Sequence, residues 1–127
     1  MTIKVGDQIP AMTLMMATPE GPKETSTDEV FKGKGVDTIA CIAVNDAFVM
    51  GAWGKEQGVD GKVTMLADGS AAFTKALGLE LDLIARGMGT RSQRYALIAD
   101  DGKVTHLAVE APGGFEVSKG EAILAHL

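Results

Sequence analysis

One cysteine, two histidines and two arginines three positions apart are the residues of this 127-residue sequence to weigh first for chemistry. A cysteine attacks only as its thiolate, and the unperturbed thiol ionises near pH 8.5, roughly, unless a helix N-terminus or a cation brings that value down. Cys41 has neither in sequence. It stands inside the apolar run 37–44, four residues before a helix cap at Asn45 or Asp46, where burial raises a thiol pKa. The expectation is a buried, inert thiol that packs as a small hydrophobe. Being the only cysteine, it also excludes an internal disulfide. His106 and His126 cannot assemble the usual zinc spacings, and read as a strand residue and a frayed terminal one. Asp100 and Asp101, with no partner histidine or third ligand, read as turn residues. No metal and no cofactor is expected. Arg91 and Arg94 lie in GMGTRSQR, whose glycines do not follow a strand and open a helix, so the stretch reads as a loop and not a nucleotide cradle. On residue type alone Arg94 is a strand-edge arginine paired with a carboxylate or with solvent. Met12, Met15 and Met16 read as core rather than as a recognition stripe.

The elements that must hold these residues follow from pattern. MTLMM reads as a strand, with Pro19, Gly21 and Pro22 setting the turn after it. Ser26 and Glu29 have capping-box spacing ahead of Val30 and Phe31, and Gly33 supplies a stop, which predicts a short helix over 27–32. Residues 37–44, apolar almost throughout, predict a strand covered on both faces in a parallel sheet. A helix over 47–57 and a strand over 62–67 follow, and Asp68 or Ser70 then caps a short helix that Gly78 ends. RYALIADDGKVTHLAVE predicts a hairpin turning at Asp101-Gly102. Beyond the break at Pro112, Gly113 and Gly114, Ser118 and Glu121 form a second capping box for a terminal helix. Units of strand and helix first, then a hairpin and a helix, make an α/β sandwich.

A hydrophobic content of 46% in 127 residues suits a single domain, 1–127, with a buried core. The net charge of −5 is spread along the chain, so the basic footprint that nucleic acid or an anionic membrane requires is missing. MTIKVGDQIP lacks the apolar stretch of a secretory signal, and no run approaches the roughly 20 apolar residues that cross a bilayer, which makes the cytoplasm the expected location.

Five stretches together, VGDQIP, FKGK, IACIAVNDAFVMGAWGK, MLADG and TRSQRYALI, resemble the type II, peroxiredoxin-5-like subfamily of the peroxiredoxins. The resemblance implies a thioredoxin-like sandwich and a thiol-dependent peroxidase, with glutathione or glutaredoxin as reductant. In that family FKGK leads into a core strand, a P-x-x-x-T-x-x-C loop with the peroxidatic cysteine, and a helix, before the segment matching Ile39. Here Lys34 runs directly into GVDTIA. About 35 residues are missing on this comparison, the size of one βα unit. Related proteins carry a K-x-K-G run just before GVD, so a deletion between short similar stretches is a plausible origin. Of the family's peroxide-handling groups only the arginine is left. Arg94, from its place before Tyr95, matches it, and the resemblance implies that it orients peroxide oxygens and stabilises thiolate charge. No late resolving cysteine stands near Val117.

Two classes of function are therefore in play. One is a peroxiredoxin by descent whose turnover is lost with its nucleophile. The other is an interaction protein that uses TRSQRY and the helix from Ala47 to Trp53 to form a homodimer or a mixed dimer with an intact relative. A chain shortened by design, or misread from its gene, is the third explanation of the gap. In the implied fold the lost strand lies between 39–44 and 95–99. The expectation is that the sheet closes over its loss, with 39–44 hydrogen-bonded directly and antiparallel to 95–99.

Overall fold

The computed structural model describes residues 2–30, 38–59 and 62–127. β1 (Thr13–Thr18) and β2 (Gly21–Ser26) form a hairpin whose turn places Gly21 at φ 106°. The polar, proline-bearing GPKETS was not expected as a strand, but β2 lies at a sheet edge, where Pro22 needs no outward ladder bond. α1 (Thr27–Val30) follows, its buried Thr27 hydroxyl donating to the Pro10 carbonyl at 2.6 Å and accepting from the Met12 amide at 3.0 Å. The Ser26–Glu29 capping box, the continuation to residue 32, the stop at Gly33 and the Lys34–Gly35 junction fall outside the described residues.

β3 (Ala40–Ala43), α2 (Ala47–Glu56) and β4 (Thr64–Ala67) make the expected unit of two parallel strands joined by a helix. Asp46 caps α2 by accepting from the Val49 amide at 2.8 Å. The helix lies so close on β4 that a Cβ at Gly54 would come within 2.9 Å of the Met65 side chain. Asp68 then anchors α3 (Ala72–Leu77) from a buried position, accepting from the amides of Phe73 at 3.0 Å and Thr74 at 2.8 Å and from the Thr74 hydroxyl at 2.7 Å. Gly78, at φ 73°, ends the helix as predicted.

β5 (Glu80–Leu83) and β6 (Gly89–Ser92) form a second hairpin around a 3-10 turn at Ile84–Arg86. This corrects the reading of GMGTRSQR as a loop throughout. Glycines at positive φ, Gly87 and Gly89, lie so close to the strand that they hide its alternation. β7 (Tyr95–Asp100) and β8 (Lys103–Val109) pair as predicted, with Asp101 at φ 51° and Gly102 at φ 82° making the two-residue turn. α4 (Gly120–Leu124) is capped at Lys119, without a side-chain cap bond. The expected Ser118–Glu121 capping box does not form, because the Ser118 hydroxyl donates to Glu110 instead, at 2.6 Å. The same Glu110 oxygen accepts from the amides of Glu116 and Ser118, both at 2.8 Å, which folds the loop between β8 and α4 back on itself. His106 of β8 and His126 stack with ring centroids 3.8 Å apart, so the C-terminus is held against β8 rather than frayed.

The strands form a four-stranded sheet in the order β2-β1-β4-β3 and two separate pairs, β5-β6 and β7-β8. One core binds them: Leu14, Leu66, Phe73, Leu77, Leu79 and Val104 are buried together, and Ala40 and Ile42 of β3 and Tyr95 and Leu97 of β7 pack against them. A smaller cluster of Ala47, Met50, Met65 and Ala67 lies under α2. Met12 and Met16 pack on the first cluster and Met15 on the second, as core residues. The predicted closure of the sheet is contradicted, because among the described residues β3 pairs with β4 and β7 with β8, and not with each other. Among the described residues β3 is therefore an edge strand, although both of its faces are packed as expected, Ala40 and Ile42 on the main core and Cys41 and Ala43 on the cluster under α2.

Two predictions follow from these anchors. Asp68→Ala leaves three buried donors unpaired, which costs about 2 to 4 kcal/mol, and at a typical urea dependence of about 2 kcal/mol per M the unfolding midpoint falls by about 1 to 2 M; an unchanged midpoint would mean that the anchor is not formed. Hydrogen bonds, the Ser118 hydroxyl first, hold the Glu110 carboxyl below its usual value against an opposing push from desolvation. Its contribution to holding the loop is therefore complete above the ordinary glutamate pKa of about 4.3 and is lost as pH falls through the lower folded value. Followed by NMR in acid, the Ser118 amide shift titrates with a midpoint below about 4.3, whereas a midpoint at or above it would show the bonds to be absent.

Candidate functional site

β3 and β7 face each other across an open cavity of about 880 Å3. The direction of the backbone groups along its walls can be read from their partners. The carbonyls of Ile39 and Ala43 accept from Thr64 and Asp68, so these residues turn toward β4, and the alternate residues Ala40 and Ile42 turn their N–H and C=O groups to the cavity. The Arg94 carbonyl accepts from the Glu110 amide on the β8 side, which turns Tyr95 and Leu97 to the cavity in the same way. Among the described residues these four have no backbone partner on that side. Every residue of Ala40–Ala43 is partly exposed, and so is every residue of β7 from Tyr95 to Ala99.

Cys41 lines this cavity and packs its side chain beside the cluster under α2. It is partly exposed rather than buried, which corrects the expectation from its apolar strand. Burial pushes its pKa up, and the charge of Arg94 offsets that only in part. It also lies in the strand, upstream of α2, and not at the helix N-terminus.

Arg94, at the entry to β7, is the cation that sequence proximity to Cys41 did not reveal. Its guanidinium sits 4.0 Å over the Phe115 ring, a partner of neither kind expected for it. The Glu110 bonds that fold the 110–118 loop are what bring Phe115 there. Tyr95, next along β7, has its hydroxyl lifted far above the usual phenol range by burial, then by the charges of Asp68 and Cys41. Cys41, Arg94 and Tyr95 are thus brought into one electrostatic neighbourhood.

Arg91 has a structural task that sequence reasoning missed. Its Nε donates to the Met88 carbonyl at 2.8 Å, and Nη1 donates to the Val44 carbonyl at 2.7 Å and to Asn45 Oδ1 at 3.1 Å. It pins the β5-β6 hairpin to the end of β3 across 47 positions of sequence, a separation that no local pattern reports. Asp100 and Asp101 stand at the β7-β8 turn, apart from this neighbourhood. Among the described residues no group of three or more His, Cys, Asp or Glu could hold a metal ion, and no helix is long and apolar enough to cross a membrane.

Over residues 18–124 the sequence matches the Redoxin family. It is 52% identical over 99 residues to peroxiredoxin-2B of Arabidopsis thaliana, a match covering 78% of this chain and 61% of that protein. With chloroplastic peroxiredoxin-2E of the same plant it shares 51% identity over 98 residues, 76% of this chain and 42% of the other. The chain thus spans 42 to 61% of the length of these curated relatives. Its structure superposes with a TM-score of 0.91 on that of reduced Prx3 in complex with hydrogen peroxide from Vibrio vulnificus, at 44% identity and covering 98% and 99% of the two chains. The thioredoxin-like frame is therefore kept although β3 and β7 do not pair, and the chain belongs to the peroxiredoxin family, whose members are thiol-dependent peroxidases.

Proposed function

We propose that this chain keeps the frame of a thiol-dependent peroxidase without its turnover. One observation carries the reading: FKGK runs directly into GVDTIA, no P-x-x-x-T-x-x-C occurs anywhere in the sequence, and the sole thiol, Cys41, has a raised pKa. Peroxidase chemistry needs a thiolate to attack the peroxide O–O bond, leaving a sulfenic acid on sulfur while the other oxygen departs as water or alcohol. Arg94 supplies positive charge beside the cavity and can orient an anion or a peroxide oxygen, but it can accept no oxygen itself. A glutathione or glutaredoxin reductant, implied by the resemblance, then has no sulfenic acid to reduce.

The second reading, an interaction role, is favoured by the outer face of α2, where Phe48 and Val49 are 75% and 48% exposed. A homodimer, or a mixed dimer with an intact peroxiredoxin, would cover these side chains.

Stopped-flow mixing with hydrogen peroxide tests the first reading. We expect no consumption above the uncatalysed background, and a reaction of Cys41 with a thiol reagent that climbs about tenfold per pH unit without levelling at the ordinary value of about 8.5. Arg94→Gln removes the one charge that lowers this pKa and slows labelling further at every pH below it. Rapid, saturable sulfenic acid formation at Cys41 would overturn the proposal.

A further inference from the structure

Edge strands in folded proteins are usually blunted by charge, proline or a bulge. Ala40–Ala43 carries no charged residue and no proline, and the bulge in β7 falls between Ile98 and Ala99, beyond the Tyr95 and Leu97 edge. The two edges face each other with one N–H and one C=O from each of Ala40, Ile42, Tyr95 and Leu97 turned inward. Facing ladders of this kind are matched by an extended polypeptide, whose successive residues send their backbone groups alternately to the two sides.

The walls above and below specify the guest's side chains. Leu66 and Phe73 of the main core line one side. On the other lie Trp53 and, from α4, Ile123 and Leu124. α4 belongs on that second side because His126 stacks on His106, which pairs with Ile98 and so shares its face of the hairpin, opposite to Leu97. A strand covered on both faces is apolar throughout rather than alternating.

Charge fixes the orientation. Arg91 reaches the Val44 carbonyl just beyond β3, and Arg94 stands just before β7, so both cations lie at the end of the cavity where β3 finishes and β7 begins. The ion pairs among the described residues are Lys4–Asp7 and Lys23–Glu20, and neither arginine has a carboxylate partner. An anionic group is the complement at this end.

We propose that the cavity is a strand-acceptor site for a segment of a second polypeptide: an extended apolar run ending in a carboxylate. The guest runs parallel to β3 and antiparallel to β7, with its carboxylate at Arg91 and Arg94. Its length is set by the walls, four residues in β3 and six in β7.

The test uses the peptide Lys-Lys-Val-Val-Leu-Val-Val, with fluorescein at the N-terminus for anisotropy, two lysines for solubility and a free C-terminal carboxylate. We expect saturable binding with a Kd of about 1 to 100 μM. Methylating alternate peptide nitrogens keeps the side chains but removes ladder donors, and should weaken binding at least about tenfold. A C-terminal amide should bind several-fold more weakly than the acid, and Arg94→Gln should shrink that difference without abolishing binding. No saturation below about 1 mM, or equal binding of the methylated peptide, would overturn the proposal. So would a free chain that sediments as a dimer and takes up no peptide, which would place a second copy of this chain in the cavity.

Discussion

The shared core around Phe73, Leu66 and Leu77 sets the positions of everything else. β3 reaches it through Ala40 and Ile42, β7 through Tyr95 and Leu97, and the N-terminal segment ties the far side by bonds from Ile3 to Leu77 and from Gly6 to Val104. Pairing β3 with β7 would require the two strands to approach to the interstrand spacing of about 4.8 Å, and close-packed cores resist such a shift. β3 would also pull β4 with it, and Leu66 of β4 is fully buried. Against this stand eight backbone groups at the edges that have no backbone partner among the described residues. If dry, they would cost about 1 to 3 kcal/mol each and would force closure. Ala40–Ala43 and Tyr95–Ala99 are partly exposed, so that cost is smaller and the core prevails.

That balance shows where sequence reasoning was sufficient and where it failed. Local signals served well: the Asp101-Gly102 turn, the Gly78 helix stop, the Asp46 cap and the parallel strands around α2 all arise from a few neighbouring residues. The Ser118–Glu121 box misled because Glu110, eight positions upstream of Ser118, competes for the same hydroxyl. The β5-β6 hairpin was hidden by glycines at its turn. The closure argument failed for a different reason: it counted hydrogen bonds and left out the side chains that hold both sheets on one core.

The same long-range placement decides the chemistry. Cys41 looked buried because its strand is apolar, but an edge strand beside a cavity is open on one side. Arg94 looked like a solitary strand-edge residue, and only the folded 110–118 loop reveals Phe115 beneath it. A thiol, a cation and a phenol are thus brought into one electrostatic neighbourhood beside the cavity. The frame of the family holds that charge in place beside the cavity.

Amide hydrogen exchange in the free protein tests the open edges most directly. The account predicts fast exchange at Ala40, Ile42, Tyr95 and Leu97, beside slow exchange at Ala96 and Ile98, whose amides bond to β8. Protection at Ala40, Ile42, Tyr95 and Leu97 equal to that of Ala96 and Ile98 would mean that the edges are paired in solution, and would contradict it.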